Sequence, residues 1–270
     1  MTFIEQSRMI TNRWVAAILV GMVITIESSY AIKPNRVYSY TPDKLKLTYE
    51  EITVNTVDGT SLNVWHLPSE EEGRPIIISQ SDAGNMGDWL YLGLYLQAYG
   101  LDVWMYDYRG FGHSNDFAIV QDQLFHTEFV TDLDAVAEYV YQKTGKAPAL
   151  MGLSMGTIIV NEFLRRTNIP IGKVIFDGYV ANPKEWIRRL AANGKTVTIP
   201  DGYRNRKHRQ REVESLFIVS EKDTYSTISD IPRGKQGKHI KTFDCEHISG
   251  FFRFPEEYTT GIVSFIEESL

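Results

Sequence analysis

The passage from Ala149-Leu150-Met151 into Gly152-Leu153-Ser154-Met155-Gly156 most constrains what this chain can fold into. An apolar strand, Ala147 to Leu153, runs with almost no loop into a helical stretch, Ser154 to Arg166, and a serine flanked by glycines stands at the join. A strand that meets a helix so abruptly must turn sharply, and a Cβ at either glycine would collide with the neighbouring strand or helix. The turn lifts the serine hydroxyl above a sheet at a helix N-terminus, with the Met155 amide aimed at the same space.

The rest of the pattern fits such a sheet. Ile52, Val54 and Thr56 alternate, Asp58-Gly59 marks a turn, and Leu62, Val64 and His66 continue, which predicts an antiparallel hairpin. Short apolar strands follow at 75–78, 101–106, 147–153, 173–179, 215–219 and 239–243. Helical periodicity fills 89–99, 128–143, 154–166 and 256–268. Strand–helix alternation of this kind predicts an α/β fold: a mostly parallel twisted sheet with helices on both faces, led by the hairpin. Residues 32–47 read as an irregular arm and 48–270 as the main domain. About 35 residues between the strands at 173–179 and 215–219 leave room for a small cap, about 181–213, with one short helix, Trp186 to Ala192.

A serine hydroxyl is a poor nucleophile unless a base takes its proton and a carboxylate orients that base. In a sheet of this kind the chain order is Ser, acid, His. Val219-Ser220-Glu221-Lys222-Asp223 ends one late strand and offers Asp223; Cys245-Glu246-His247 ends the next and offers His247, ahead of the last helix. Glu221, Asp230 and Asp244 are alternative acids. Arg109 and Asp107 read as bracing residues, His113 as a rim residue and His66 as a packing or edge residue. No His, Asp or Glu group has metal-ligand spacing, so neither metal nor other cofactor is expected.

Three segments resemble the α/β-hydrolase superfamily from about Thr48 onward: Ser81-Asp82-Ala83-Gly84-Asn85-Met86-Gly87, Asp107-Tyr108-Arg109-Gly110-Phe111-Gly112-His113-Ser114, and the Gly152 to Gly156 turn. The nearest branch is that of the small-cap Bem46-like and serine aminopeptidase-like hydrolases. The resemblance implies catalysis by Ser154, Asp223 and His247, with backbone amides of Met155 and Asp82 as an oxyanion hole, acting on a small-molecule carboxylic ester or thioester through an acyl-enzyme. One departure stands out. Where the family reads His-Gly-Asn-Ala-Gly-Asn, this chain has Gln80-Ser81-Asp82-Ala83-Gly84-Asn85. Ser81 adds a Cβ at a turn that often needs glycine, and the Asp82 carboxylate is expected to turn outward and cap Gly84 or Asn85. The alternative is a non-catalytic binding protein that has kept the fold.

A net charge of −6 argues against a nucleic-acid partner. A single cysteine, Cys245, excludes an intramolecular disulfide. Arg8 and Arg13 precede an apolar run, Trp14 to Ile26, and Ser29-Tyr30-Ala31 follows; these are the parts of an export signal cleaved near Ala31. The rival is a retained membrane anchor through residues 14–26, and with it a membrane-tethered interaction protein. As a helix that run rises only about 20 Å against roughly 30 Å of hydrocarbon. In the cap, Arg204, Arg206 and Arg209 belong to a basic cluster that reads as a solvated loop or as a contact for an anionic substrate group or membrane headgroup.

Overall fold

The computed structural model describes residues 31–201, 203, 213–232 and 238–268. The arm opens with a two-residue strand, β1 (Lys33–Pro34), so it is not wholly irregular as expected. The hairpin follows, β2 (Glu50–Asn55) and β3 (Ser61–Leu67), paired Ile52↔Val64 and Val54↔Leu62. Then come β4 (Pro75–Ser79), β5 (Ala83–Gly84), α1 (Leu90–Ala98), β6 (Asp102–Tyr106), α2 (Glu128–Thr144), β7 (Ala149–Leu153), α3 (Met155–Leu164), β8 (Val174–Asp177), α4 (Pro183–Ala192), β9 (Ser215–Ser220), β10 (Lys238–Phe243), α5 (Gly250–Arg253) and α6 (Pro255–Glu267).

The main sheet runs β10-β9-β8-β7-β4-β6-β3-β2. Its neighbours are parallel except where β3 meets β2 and β6. Alternate side chains of one strand reach opposite faces. Ile77, Leu150 and Phe176 pack with Phe129, Leu133, Ile159 and Phe163 of α2 and α3. Ile76, Ile78, Met151 and Ile175 pack with Leu92, Leu96, Ile262 and Phe265 of α1 and α6. Because both faces are covered, β4, β7 and β8 are buried along their whole length. Each such aliphatic side chain contributes roughly 1.5–3 kcal/mol. Their strands therefore read as continuous apolar runs instead of alternating ones.

The cap helix α4 starts at Pro183, three residues before the expected Trp186. Asn182 caps it, its side chain accepting from the Lys184 amide at 3.1 Å, and Pro183 suits the first turn, where no amide partner is needed. Among the described residues no helix is long and apolar enough to cross a membrane. The apolar run 14–26 and the cap arginines Arg204, Arg206 and Arg209 lie outside the described residues.

Candidate active site

Ser154 stands between β7 and α3 with φ 50° and ψ −110°. A non-glycine residue in that region is strained, and here packing on both sides enforces it. A Cβ on Gly156 would lie 2.1 Å from Ser79 O, and one on Gly152 would lie 2.7 Å from Gly156 O, so neither glycine can be replaced without parting α3 from the sheet. The Ser154 amide donates to Asp177 O at 2.8 Å, and Thr157 Oγ1 donates to Ser154 O at 2.7 Å. The turn is thus held at both ends, and Ser154 itself is only 1% exposed.

The two other residues arrive from neighbouring strand ends. His247 Nε2 lies 2.8 Å from Ser154 Oγ, and His247 Nδ1 lies 2.5 Å from Asp223 Oδ2. The Asp223 side chain is 1% exposed and its other oxygen accepts from the Tyr225 amide at 2.7 Å. A carboxylate with both oxygens engaged fixes the tautomer that donates through Nδ1, leaving Nε2 free to accept the serine proton. Two backbone features not expected from the sequence make room for the imidazole. Gly178, with φ 66°, lies beneath it, and a Cβ there would come within 2.6 Å of His247 Cε1. Ile248, next in sequence, also has a left-handed φ of 46°. Trp186 and Tyr225 flank the ring, with centroids 6.3 and 5.8 Å away.

The oxyanion segment follows β4. Ser81 is buried and does not have a left-handed φ, so its Cβ needs no glycine at this position. Asp82 does not make the expected cap. Its carboxyl caps neither Gly84 nor Asn85; the Asn85 amide donates to Asp88 Oδ2 instead. The Asp82 side chain is half-buried, feels the charges of His247 and Lys195, and burial pushes its carboxyl above the usual carboxylate range. Behind it, Asp107 accepts from the Met86 amide at 2.8 Å, Gln80 Nε2 at 3.2 Å and the Tyr38 hydroxyl, and burial pushes Asp107 up to about 6.

The remaining candidates sort themselves by distance. Arg109 does not brace the oxyanion segment: it reaches away, with Nε donating to Asp132 Oδ1 at 2.8 Å and Nη1 to Asp58 Oδ2 at 2.7 Å, and so ties α2 to the hairpin turn. That pairing holds Asp58 down at about 2. Asp230 is committed to Arg189 of α4 at 2.6 Å and Asp244 to Lys222 at 2.8 Å, which leaves Asp223 as the acid on His247. His66 stacks on Trp104 at 3.8 Å and bonds Asp102, and His113 packs on Tyr38. Glu214, His239 and Glu268 converge to within 4.8 Å of one another, a grouping the sequence did not suggest. Lys173 Nζ lies 3.3 Å from Glu214 Oε2, so that cluster carries its own cation. A groove of about 620 Å³ along β2 and α2, lined by Val54, Asn55, Asp134 and Glu138, contains none of the three central residues.

Sheet order, the serine turn and the Ser154–His247–Asp223 chain of hydrogen bonds together give the chain the α/β-hydrolase fold. Residues 83–215 match the family model described as serine aminopeptidase, S33. Among solved structures, the Pyrococcus furiosus esterase Pf2001 superposes with a TM-score of 0.70 at 17% identity, covering 87% of this chain and 97% of that one. The esterase EaEST from Exiguobacterium antarcticum gives 0.59 at 18% identity, covering 81% and 100%. Curated relatives include the uncharacterized protein YfhR of Salmonella typhi, 27% identical over 58% of this chain and 54% of its own length. The uncharacterized membrane protein YNL320W of Saccharomyces cerevisiae is 33% identical over 27% of this chain and 26% of its own. The match therefore spans at most about half of these relatives.

Proposed function

We propose that the chain is a serine hydrolase that cleaves a carboxylic ester or thioester of a small molecule through an acyl-enzyme, with no cofactor. The observation that carries this reading is the imidazole of His247 bridging Ser154 at 2.8 Å and Asp223 at 2.5 Å. His247 takes the Ser154 proton as the oxygen attacks the carbonyl carbon, and Asp223 stabilises the imidazolium. The Met155 and Asp82 amides receive the oxyanion; one such donor is worth about 10²–10³ in kcat. His247 then protonates the departing alcohol or thiol. A water, deprotonated by the same imidazole, attacks the acyl group and frees Ser154. The esterase structures that share the fold agree with this chemistry in class. Labelling by a fluorophosphonate probe, abolished in Ser154→Ala, is the expected result; a folded wild type that takes no label is instead a binding protein on a hydrolase scaffold.

Arg204, Arg206 and Arg209 remain proposed contacts for an anionic part of the substrate. For location, the proposals are an export signal cleaved near Ala31 and, as the alternative, a retained anchor through residues 14–26. The Ala31 and Ile32 amides both donate to Gln121 O, and retention of the preceding segment keeps both bonds that seat the arm. The yeast relative's description as a membrane protein agrees.

A further inference from the structure

We infer that the N-terminal arm is a positioning element of the active site: β1 and Tyr38 hold the oxyanion segment in its working geometry, and hydrolysis requires the arm to be docked. The inference rests on the acyl-transfer reading above and adds a dependence that reading does not contain.

Lys33 and Pro34 pair in parallel with Ala83 and Gly84, immediately after Asp82. The Lys33 amide donates to Asp82 O at 2.9 Å and the Asn35 amide to Gly84 O at 2.8 Å. The bond to Asp82 O fixes the peptide plane that follows Asp82. The Asp82 amide belongs to the preceding plane, one φ/ψ pair away, so the bond restrains it through a single residue. Asn85 locks the same segment from its side, its Nδ2 donating to Asn35 O at 3.1 Å and Val37 O at 2.9 Å.

Tyr38 adds a second hold, one layer deeper. Its hydroxyl, accepting from Asn63 Nδ2 at 3.0 Å and from the His113 amide at 3.1 Å, donates to Asp107. Asp107 is the buried carboxyl that also receives the Met86 amide and the Gln80 side chain, which lie on either side of Asp82 in sequence. Arg36 donates to Ser114 O at 2.7 Å and the Gly112 amide to Asn35 O at 3.0 Å, so the loop carrying Asp107 is bound to the arm as well. The arm is therefore the common partner of the two loops that set the oxyanion side of the site. Its upstream end is seated too, with the Ala31 and Ile32 amides both on Gln121 O at 2.7 and 3.0 Å.

Two variants in the full-length chain test this. Lys33→Pro deletes the amide that holds Asp82 O, and Tyr38→Phe removes the hydroxyl on Asp107. Active sites are counted by fluorophosphonate titration, and hydrolysis of p-nitrophenyl esters is expressed per titrated site. A merely structural role lowers the number of titratable sites and leaves turnover per site intact. A positioning role lowers turnover per site, since an ångström of misplacement costs up to about a hundredfold. We expect kcat per site to fall about ten- to a hundredfold in Lys33→Pro and several-fold in Tyr38→Phe, with KM within about twofold. Unchanged kcat per site in Lys33→Pro overturns the inference. If that variant yields no folded protein, unchanged kcat per site in Tyr38→Phe overturns it. A wild type that neither labels nor turns over refutes the hydrolase reading itself, a result distinct from either.

Discussion

Asp177 and Asp82 both feel the charge of His247, and they lead to opposite expectations. Asp177 closes β8 under the site, 1% exposed, with Tyr258 OH donating to Oδ2 at 2.7 Å and no hydrogen-bond partner for Oδ1. Burial pushes it up to about 6, from 3.8 in the unfolded chain. Its folded carboxylate is therefore the costly form: the group does not destabilise the fold below about pH 4, and it costs about 3 kcal/mol once pH has risen well above 6. In Asp177→Asn the amide cannot ionise. Unfolding in urea should show the variant gaining on wild type by about 3 kcal/mol between pH 4 and pH 8, whatever fixed offset the amide introduces. Asp82 instead affects rate. As a carboxylate on the oxyanion segment it competes with the developing negative charge for the same electrostatic stabilisation, and its upward displacement means that acid neutralises it early. Asp82→Asn should hydrolyse neutral esters about tenfold faster than wild type at pH 8, with the gap closing toward pH 5. A pH-independent ratio in steady-state kinetics would count against that competition.

At the scale of elements, the site is a set of strand ends whose loops must pass close over one another. Gly178 shows how tight this is, because a Cβ on it would meet the imidazole. Gly178→Ala should lower kcat about a hundredfold by displacing His247, while the left-handed φ and the contact together cost the fold about 1–3 kcal/mol. Ester kinetics and a urea titration read the two effects separately. What the sequence disclosed follows the same division. The serine turn, the hairpin and the runs of β4, β7 and β8 were legible because their cause is local, a period or a glycine pair within a few residues. The positions of Asp223 and His247 were legible from chain order. Gly178 and Ile248 were not, since their left-handed backbones answer to a ring brought in from another strand. Arg109 was misplaced for the same reason, as Asp58 and Asp132 lie 51 and 23 residues away. The missing Asp82 cap was not legible either, because Asp88, six residues on, takes the Asn85 amide instead.

Across the whole molecule, one end of the chain and one edge of the sheet govern the site. If the segment before Ala31 is retained, intact-mass measurement and N-terminal sequencing of protein from the membrane fraction will find no species starting at Ile32; such a species in quantity would establish the cleaved-signal reading. The far edge matters in another way. His247 follows β10, the outermost strand, which pairs with β9 alone, whereas Ser154 follows β7, inside the sheet. Margins of a sheet open before its interior does. Heat should therefore separate base from hydroxyl while most of the fold is still intact, so the temperature at which turnover fails is set by the weakest seam of the sheet and not by its melting point.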